Sequence, residues 1–489
     1  MKIGFDNEKY LRMQSSRIRE RIGEFGDKLY LEFGGKLFDD YHASRVLPGF
    51  MPDSKLRMLL QLKDQAEIIV AISAGAIASN KIRGDLGITY DDDALRLIDV
   101  FRSFGLYVGG VAITQYTGET AADEFRKRLD DICVPSYLLY KIEGYPGNIE
   151  HIVSDEGYGK NEYIKTTRPL VIVTAPGPGS GKMATCLSQL YHENKRGVLA
   201  GYAKFETFPV WNLPLNHPVN IAYEAATADL NDVNMIDPFH LEAYGQTSIN
   251  YNRDVEIYPV LKAMFKKIYG SCHYKSPTDM GVNMVGYCIS DDALCQEAGK
   301  TEIIRRYYTE LCNIKKGTGS RDALYKIQLL MKQVGIAPED RKVALYALEV
   351  EATTQSPAVA VRLDDGTLID GKTSDLLNPA AAVILNTLKE LAGIPHKTML
   401  ISPEALQPIT HLKKDYLGSQ NPRLHSDEVL VALSISANTD ANAKAALEQL
   451  PNLRGLDGHS TVMLSSADEK IFRRLGMYIT CEPKNQINH

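Results

Sequence analysis

The segment that most constrains this chain is Leu170-Val171-Ile172-Val173-Thr174-Ala175-Pro176-Gly177-Pro178-Gly179-Ser180-Gly181-Lys182-Met183-Ala184-Thr185. An apolar strand runs into a glycine-rich loop, the loop ends at Gly181-Lys182, and helical spacing follows over Met183–Tyr191. That order builds a phosphate cradle. Glycines let backbone N–H groups converge on an anion, the helix N-terminus adds partial positive charge, and lysine adds a full one. Gly177, Gly179, Ser180, Gly181, Lys182 and Thr185 are the candidate ligand-binding residues. The pattern departs twice from G-x-x-x-x-G-K-[ST]. Pro176 stands at the first glycine, and Met183 stands where a hydroxyl would bind Mg²⁺. Ser180 and Thr185 are the nearest hydroxyls.

Strand and helix patterns alternate on either side of this segment. Lys28–Phe33 and Ala66–Ser73 read as strands, Ser54–Lys63 and Asp93–Phe104 as helices, and Leu106–Thr114 and Val134–Ile142 as strands around a helix at Thr120–Asp131. Strands separated by helices of this length predict a mainly parallel sheet. Gly144-Tyr145-Pro146-Gly147 and the polar stretch Glu156–Arg168 interrupt the alternation, and Lys315–Ser320 reads as a flexible linker. The expected fold class is therefore multidomain α/β. A phosphate-loop-like unit (166–320) is flanked by an N-terminal α/β unit (1–165) and a C-terminal α/β domain (321–489).

At 489 residues the chain is long enough for about three domains. Sixty-one acids against fifty-five bases, with no long run of like charge, argue against a nucleic-acid partner. The longest apolar stretch, Ile68–Ile77, is about half a membrane span, so no membrane partner is expected. Seven scattered cysteines make no disulfide framework, which suits a cytoplasmic chain. Cys272, His273, Cys288 and Cys295 lack zinc-ligand spacing, so neither zinc nor haem is expected.

Candidate chemistry gathers around the loop. Gly197–Thr207 reads as the next strand and carries Lys204 and Glu206, placed to line a substrate. Two acid-bearing segments are candidates for Mg²⁺: one supplies Asp229 and Asp232, and the other, a strand over Val282–Asp292, delivers Asp291. The polar loop Tyr274–Asn283 offers Lys275 and Asp279 as groups that close over a ligand. Gly458-His459-Ser460-Thr461, before an expected strand at Val462–Leu464, reads as a hydrogen-bonded turn or the edge of a site. His425 with Asp427 and Glu428 reads the same way.

Three resemblances add to this. The loop, its helix and Ala200-Gly201-Tyr202-Ala203-Lys204 resemble the opening of dethiobiotin synthetase and related phosphate-loop ligases over about forty residues. Those enzymes carry a threonine where this chain has Met183. Lys28–Phe50, with Gly34-Gly35-Lys36 followed by Asp39, Asp40, His42 and Arg45, resembles the opening of the amino-acid kinases, in which a glycine turn contacts phosphate. Lys81–Gly87, read from its residues alone, joins bases to glycines as either a solvated loop, the favoured reading, or a contact for an anion. Finally, Val153–Tyr163, Val173–Tyr191, Ala203–Leu215, Ala222–Tyr244, Ser276–Asn283 and His459–Thr461 resemble a bacterial family of chains of this length, known as a domain of unknown function. That resemblance implies a multidomain α/β protein and no particular activity.

The expected function is binding of ATP or another nucleotide, with Mg²⁺, for phosphoryl transfer or ligation. In that reading Lys182 neutralises developing charge. The alternatives are a transferase or lyase that grips a phosphorylated metabolite, and a nucleotide sensor without turnover. A small phosphate-bearing ligand is the expected partner in each case, and the chain is a candidate homo-oligomer.

Overall fold

The structure is a computed structural model that describes residues 3–26, 28–34, 37, 38, 40–83, 86–419 and 421–485. Gly35, Lys36, Asp39, Gly84 and Asp85, from the two glycine-and-lysine segments named above, lie outside the described residues. The chain forms two compact units. One comprises Lys2–Thr227 and Asn231–Gly299; the other comprises Ala228–Leu230 and Lys300–His489. No helix among the described residues is long and apolar enough to cross a membrane.

The first unit is built on seven strands: β1 (Leu29–Phe33), β2 (Ala66–Ser73), β3 (Tyr107–Tyr116), β4 (Ser136–Tyr140), β5 (Leu170–Thr174), β6 (Gly201–Phe205) and β7 (Gly281–Val282). Their order is β7-β6-β1-β5-β2-β3-β4, and every neighbouring pair is parallel. All of β2 and β5 is buried, as apolar runs covered on both faces must be. The chain winds outward from β1 through β2, β3 and β4. It then returns to place β5 between β1 and β2 and continues the other way through β6 and β7.

The expected division at residues 165/166 therefore does not separate two units. β5 pairs with both β1 and β2, so strands from both sides of that boundary share one sheet. The polar stretch before β5 is bonded down rather than free. The Asn161 side chain accepts from the Tyr140 amide and donates to Ser188, and Glu162 accepts from the Leu138 amide. Buried Glu67 accepts from the amides of Thr167 and Arg168.

Helices of this unit include α1 (Asn7–Glu24), α2 (Tyr41–Val46), α3 (Ser54–Leu60), α4 (Tyr90–Ser103), α5 (Thr120–Asp131), α6 (Lys182–Lys195), α7 (Pro218–Ala226) and α8 (Asn252–Tyr269). The α1 helix is absent from the sequence reading above. It is capped by Asp6, and its buried Gln14 bonds the Val282 carbonyl and the Met284 amide just past β7. The expected strand over Val282–Asp292 stops at Val282. Asn283 there turns the chain by accepting from the Val285 amide while its NH₂ donates to the Thr207 and Pro209 carbonyls. The expected linker is likewise structured: Lys315 and Lys316 end the helix α9 (Asp292–Lys316), which runs through the division between the units.

The second unit continues with α10 (Arg321–Val334) and α11 (Lys342–Thr354). Its mixed sheet comprises β8 (Ala358–Arg362), β9 (Leu368–Lys372), β10 (Asp457–Ser460) and β11 (Tyr478–Cys481), in the order β9-β8-β10-β11. The strand expected at Val462–Leu464 is displaced upstream into β10. His459 is thus a fully buried sheet residue bonded to Thr480, not the edge of a site. Three helices, α12 (Pro379–Leu391), α13 (Ser426–Ser436) and α14 (Ser466–Leu475), begin around a single buried carboxylate. Asp468 accepts from the Asn378, His425, Ser426 and Ser465 side chains and from the Ser426 amide. The His425 ring thus orients toward Asp468 rather than Asp427, while its amide donates to Glu428 in the hydrogen-bonded turn expected of this segment.

Burial pushes the Asp468 carboxyl up, but the hydrogen bonds from His425, Ser465 and Ser426 outweigh it and hold the pKa at about 2. A depressed carboxylate stabilises the fold above its ordinary value of 3.8, and the contribution disappears as pH falls through about 2. Asp468→Asn is expected to destabilise this unit by about 2 kcal/mol at neutral pH. Urea midpoints followed from about pH 5 to about pH 2 should fall for the wild type and fall less steeply in the variant, which keeps only the share of the other depressed carboxylates such as Asp457.

Candidate functional site

The glycine loop leaves the carboxyl end of β5, the central strand, and enters α6. In an open parallel sheet, ligands bind outside the carboxyl ends of strands where the winding direction reverses, and β5 is that place here. Two glycines of the loop have a steric reason, and Gly179 has φ of +79°. A Cβ at Gly177 would lie 2.2 Å from the Tyr90 hydroxyl. Gly181 has φ of +80°, and its Cβ would lie 2.8 Å from Thr114 Oγ1. Thr114, at the end of β3, donates to the Ser180 carbonyl at 2.8 Å and so fastens the loop to the sheet.

Lys182 opens α6 and has no ion pair or hydrogen bond among the described residues. The amides of Gly179, Ser180, Gly181 and Lys182 donate to no acceptor among them either. Lys81 adds a second cation on this side, with Nζ 4.9 Å from the centre of the Tyr90 ring that covers Gly177. The two loop hydroxyls are turned inward. Ser180 Oγ donates to the Gly177 carbonyl and Thr185 Oγ1 to the Gly181 carbonyl, both at 2.9 Å.

Two strands away, β6 carries Lys204 and delivers Glu206 at its end. At a strand spacing of about 4.8 Å, the end of β6 is about 10 Å across the sheet from the start of the loop. Lys204 Nζ sits 2.7 Å from Glu206 Oε1 and 2.5 Å from Asp254 Oδ2, the latter from the first turn of α8. Burial pulls the lysine down, but Asp254, Glu206 and Glu32 outweigh it, and its pKa is raised. Burial pushes Glu206 up and Asp254 adds to that. Lys204 only partly compensates, leaving Glu206 at about 7. A carboxyl poised there gives or takes a proton near neutrality.

The other expected residues lie elsewhere. Asp279 accepts from the Lys275 amide and the Tyr244 hydroxyl, so the Lys275–Asp279 turn closes on itself where it leads into β7. Lys275 Nζ lies over the Tyr244 ring. Asp229 is exposed on a short turn, buried Asp232 pairs with Arg253, and Asp291 accepts from the Leu294 amide at the start of α9. Among the described residues, no three His, Cys, Asp or Glu side chains gather to hold a metal ion. That covers the three acids and also Cys272, His273, Cys288 and Cys295.

Asp254, Thr114 and Tyr90 are absent from the sequence reading. Asp254 is an ordinary first-turn acid by pattern, so nothing local marks it as the third member of the Lys204–Glu206 group. Thr114 closes a strand that any β-branched residue would suit.

Glu206→Gln isolates the titration. With its pKa raised on folding, Glu206 holds a proton that the unfolded chain releases, so its contribution is lost as pH rises from 4.5 to about 7. The variant is expected to gain on the wild type by on the order of 3 kcal/mol over that window. Chemical denaturation of both proteins at a series of pH values measures it.

Comparison with known proteins agrees with the resemblance drawn from the sequence. Residues 3–335 match "Domain of unknown function DUF1846, N-terminal", and residues 339–489 match its C-terminal counterpart. A UPF0371 protein of Streptococcus uberis is 56% identical over 485 residues, covering 99% of this chain and 98% of its own length. UPF0371 proteins of Streptococcus sanguinis and Streptococcus thermophilus are 56% and 55% identical with the same coverage. Family models that together cover residues 3–335 and 339–489, with relatives similar over the full length, place this chain in the DUF1846 (UPF0371) family.

Proposed function

We propose that the chain binds a small molecule through its phosphate on Gly177–Lys182 and acts on it with Glu206 as the proton-transferring group. The observation that carries this reading is Lys182. Among the described residues it is a lysine without a partner, at the N-terminus of a helix, beside four amides without acceptors at the carboxyl end of the central strand. Phosphate supplies the acceptors these donors lack. Lys81 extends the positive side. Glu206, about 10 Å away along the sheet edge, is placed for the reacting part of the ligand rather than for its phosphate.

Of the two enzymatic readings, a transferase or lyase that grips a phosphorylated metabolite has the firmer support. Met183 brings no hydroxyl to the position that contacts Mg²⁺ in nucleotide-binding loops, and the Ser180 and Thr185 hydroxyls are spent on loop and helix carbonyls. Phosphoryl transfer or ligation from ATP keeps the strand–loop–lysine–helix order in its favour and is the second reading.

Calorimetric titration separates them. A phosphorylated metabolite such as glycerol 3-phosphate is expected to bind equally with Mg²⁺ and with EDTA, and to weaken at least about tenfold in Lys182→Ala. Binding of ATP that requires Mg²⁺ and is lost in Lys182→Ala would favour the second reading. Unchanged affinity in Lys182→Ala would remove the loop from the binding site.

A further inference from the structure

Beside Glu206, at the carboxyl ends of β1 and β6, three hydroxyls are buried with their hydrogen bonding incomplete. Tyr10 of α1, Thr207 just past β6 and Tyr251 at the head of α8 are 0%, 5% and 7% exposed, and none of the three hydroxyl oxygens makes a hydrogen bond of ordinary length and angle among the described residues. They belong to one place. The Tyr10 hydroxyl approaches that of Thr207 and the carboxylate of Asp40, and the Tyr251 hydroxyl approaches that of Tyr223 and the carboxylates of Glu206 and Asp254, so each has at most one weak partner within the cluster. Asp40, the cap of α2, is held by Lys55 Nζ of α3 at 2.8 Å. Buried hydroxyls left unpaired are rare in folded proteins, because each forfeits its bonds to water. Three in one cluster, next to a proton-transferring carboxyl, point to bonds completed by a bound molecule.

We propose that this cluster recognises the hydroxyl groups of a sugar-like, polyhydroxylated moiety whose phosphate is held on the glycine loop. The proposal rests on the phosphate reading of that loop. Each hydroxyl of a sugar both donates and accepts, which matches a lining of Tyr10, Thr207 and Tyr251 hydroxyls with the acceptor-only carboxylate of Asp40. A nucleobase fits less well, because the aromatic rings nearby are already engaged. Phe208 and Tyr223 stack on each other with centroids 5.1 Å apart, His42 meets both edge-on, and Tyr251 packs on Tyr223. Lys204 and Asp254 keep 26% and 21% of their side chains exposed, so the cluster borders solvent on the Glu206 side.

Three probes test this by calorimetry on the full chain: inorganic phosphate, glycerol 3-phosphate and a hexose phosphate set of glucose 1-phosphate, glucose 6-phosphate and fructose 6-phosphate. At least one hexose phosphate is expected to bind about tenfold or more tightly than inorganic phosphate or glycerol 3-phosphate. Tyr10→Phe and Thr207→Val are expected to erase that advantage and leave inorganic phosphate binding unchanged. Lys182→Ala is expected to weaken all three probes. Phosphate binding with no gain from any hexose would overturn the sugar site and leave the loop standing, whereas no binding by any probe would overturn both.

Thermal unfolding of the ligand-free variants gives an independent readout. A hydroxyl kept for a ligand leaves the melting temperature of Tyr10→Phe unchanged or raised. A clear fall, with hexose phosphate affinity unaltered, would assign the hydroxyl to internal water and the fold, and would overturn the proposal.

Discussion

The pairing of β5 with β1 on one side and β2 on the other is what the first unit depends on. Without β5, β1 and β2 would each present an unpaired edge in the middle of the sheet, and the β7-β6-β1 half would part from the β2-β3-β4 half. Buried backbone groups need partners, so the sheet exists as seven strands or not at all. The same insertion reverses the direction of winding, and the reversal opens the sheet's carboxyl edge where the glycine loop leaves β5. One topological fact thus sets both the core and the location of the candidate site.

Electrostatics around that edge divide into two zones. On the loop, Lys182 and four backbone amides make no hydrogen bond among the described residues, and Lys81 stands over Tyr90. At the end of β6, charges are paired and buried, with one lysine shared between two carboxylates. Burial is the larger cause of the raised Glu206 and the second carboxylate the smaller. Burial opposes the pull of Lys204, Asp254 competes for the same ammonium, and together they leave Glu206 near neutrality. The second unit uses a buried carboxylate in the opposite way. Asp468 collects donors from three helix starts and is driven far below neutrality, which makes it a structural anchor.

Much of the local structure was legible in the sequence. The apolar runs at Ala66–Ser73 and Leu170–Thr174 are strands because nothing but a doubly covered sheet buries both their faces. The strand–loop–helix order at Val173–Tyr191 survives intact, and Lys204 with Glu206, two residues apart, fall on one side of β6. Expectations failed where side chains from distant segments took over. Val282–Asp292 is apolar enough for a strand, yet Asn283 bonds two carbonyls from the segment after β6 and turns the chain. Glu156–Arg168 is polar enough for a linker, yet Glu67 and Gln189 fasten it to the sheet and to α6.

The sequence by itself determined the α/β class, the family and the glycine loop with its lysine. Those are properties of contiguous residues, set by periodicity, glycine placement and charge. Only the tertiary structure decided that two expected units share one sheet, that Asp229, Asp232 and Asp291 serve elsewhere, and that Asp254 completes the Lys204–Glu206 group. It also brought Tyr10, Asp40, Thr207 and Tyr251 together from four separate elements. Proton affinity and hydrogen-bond satisfaction depend on neighbours and burial rather than on residue type. They come into being only when strands from both ends of the winding meet at one edge.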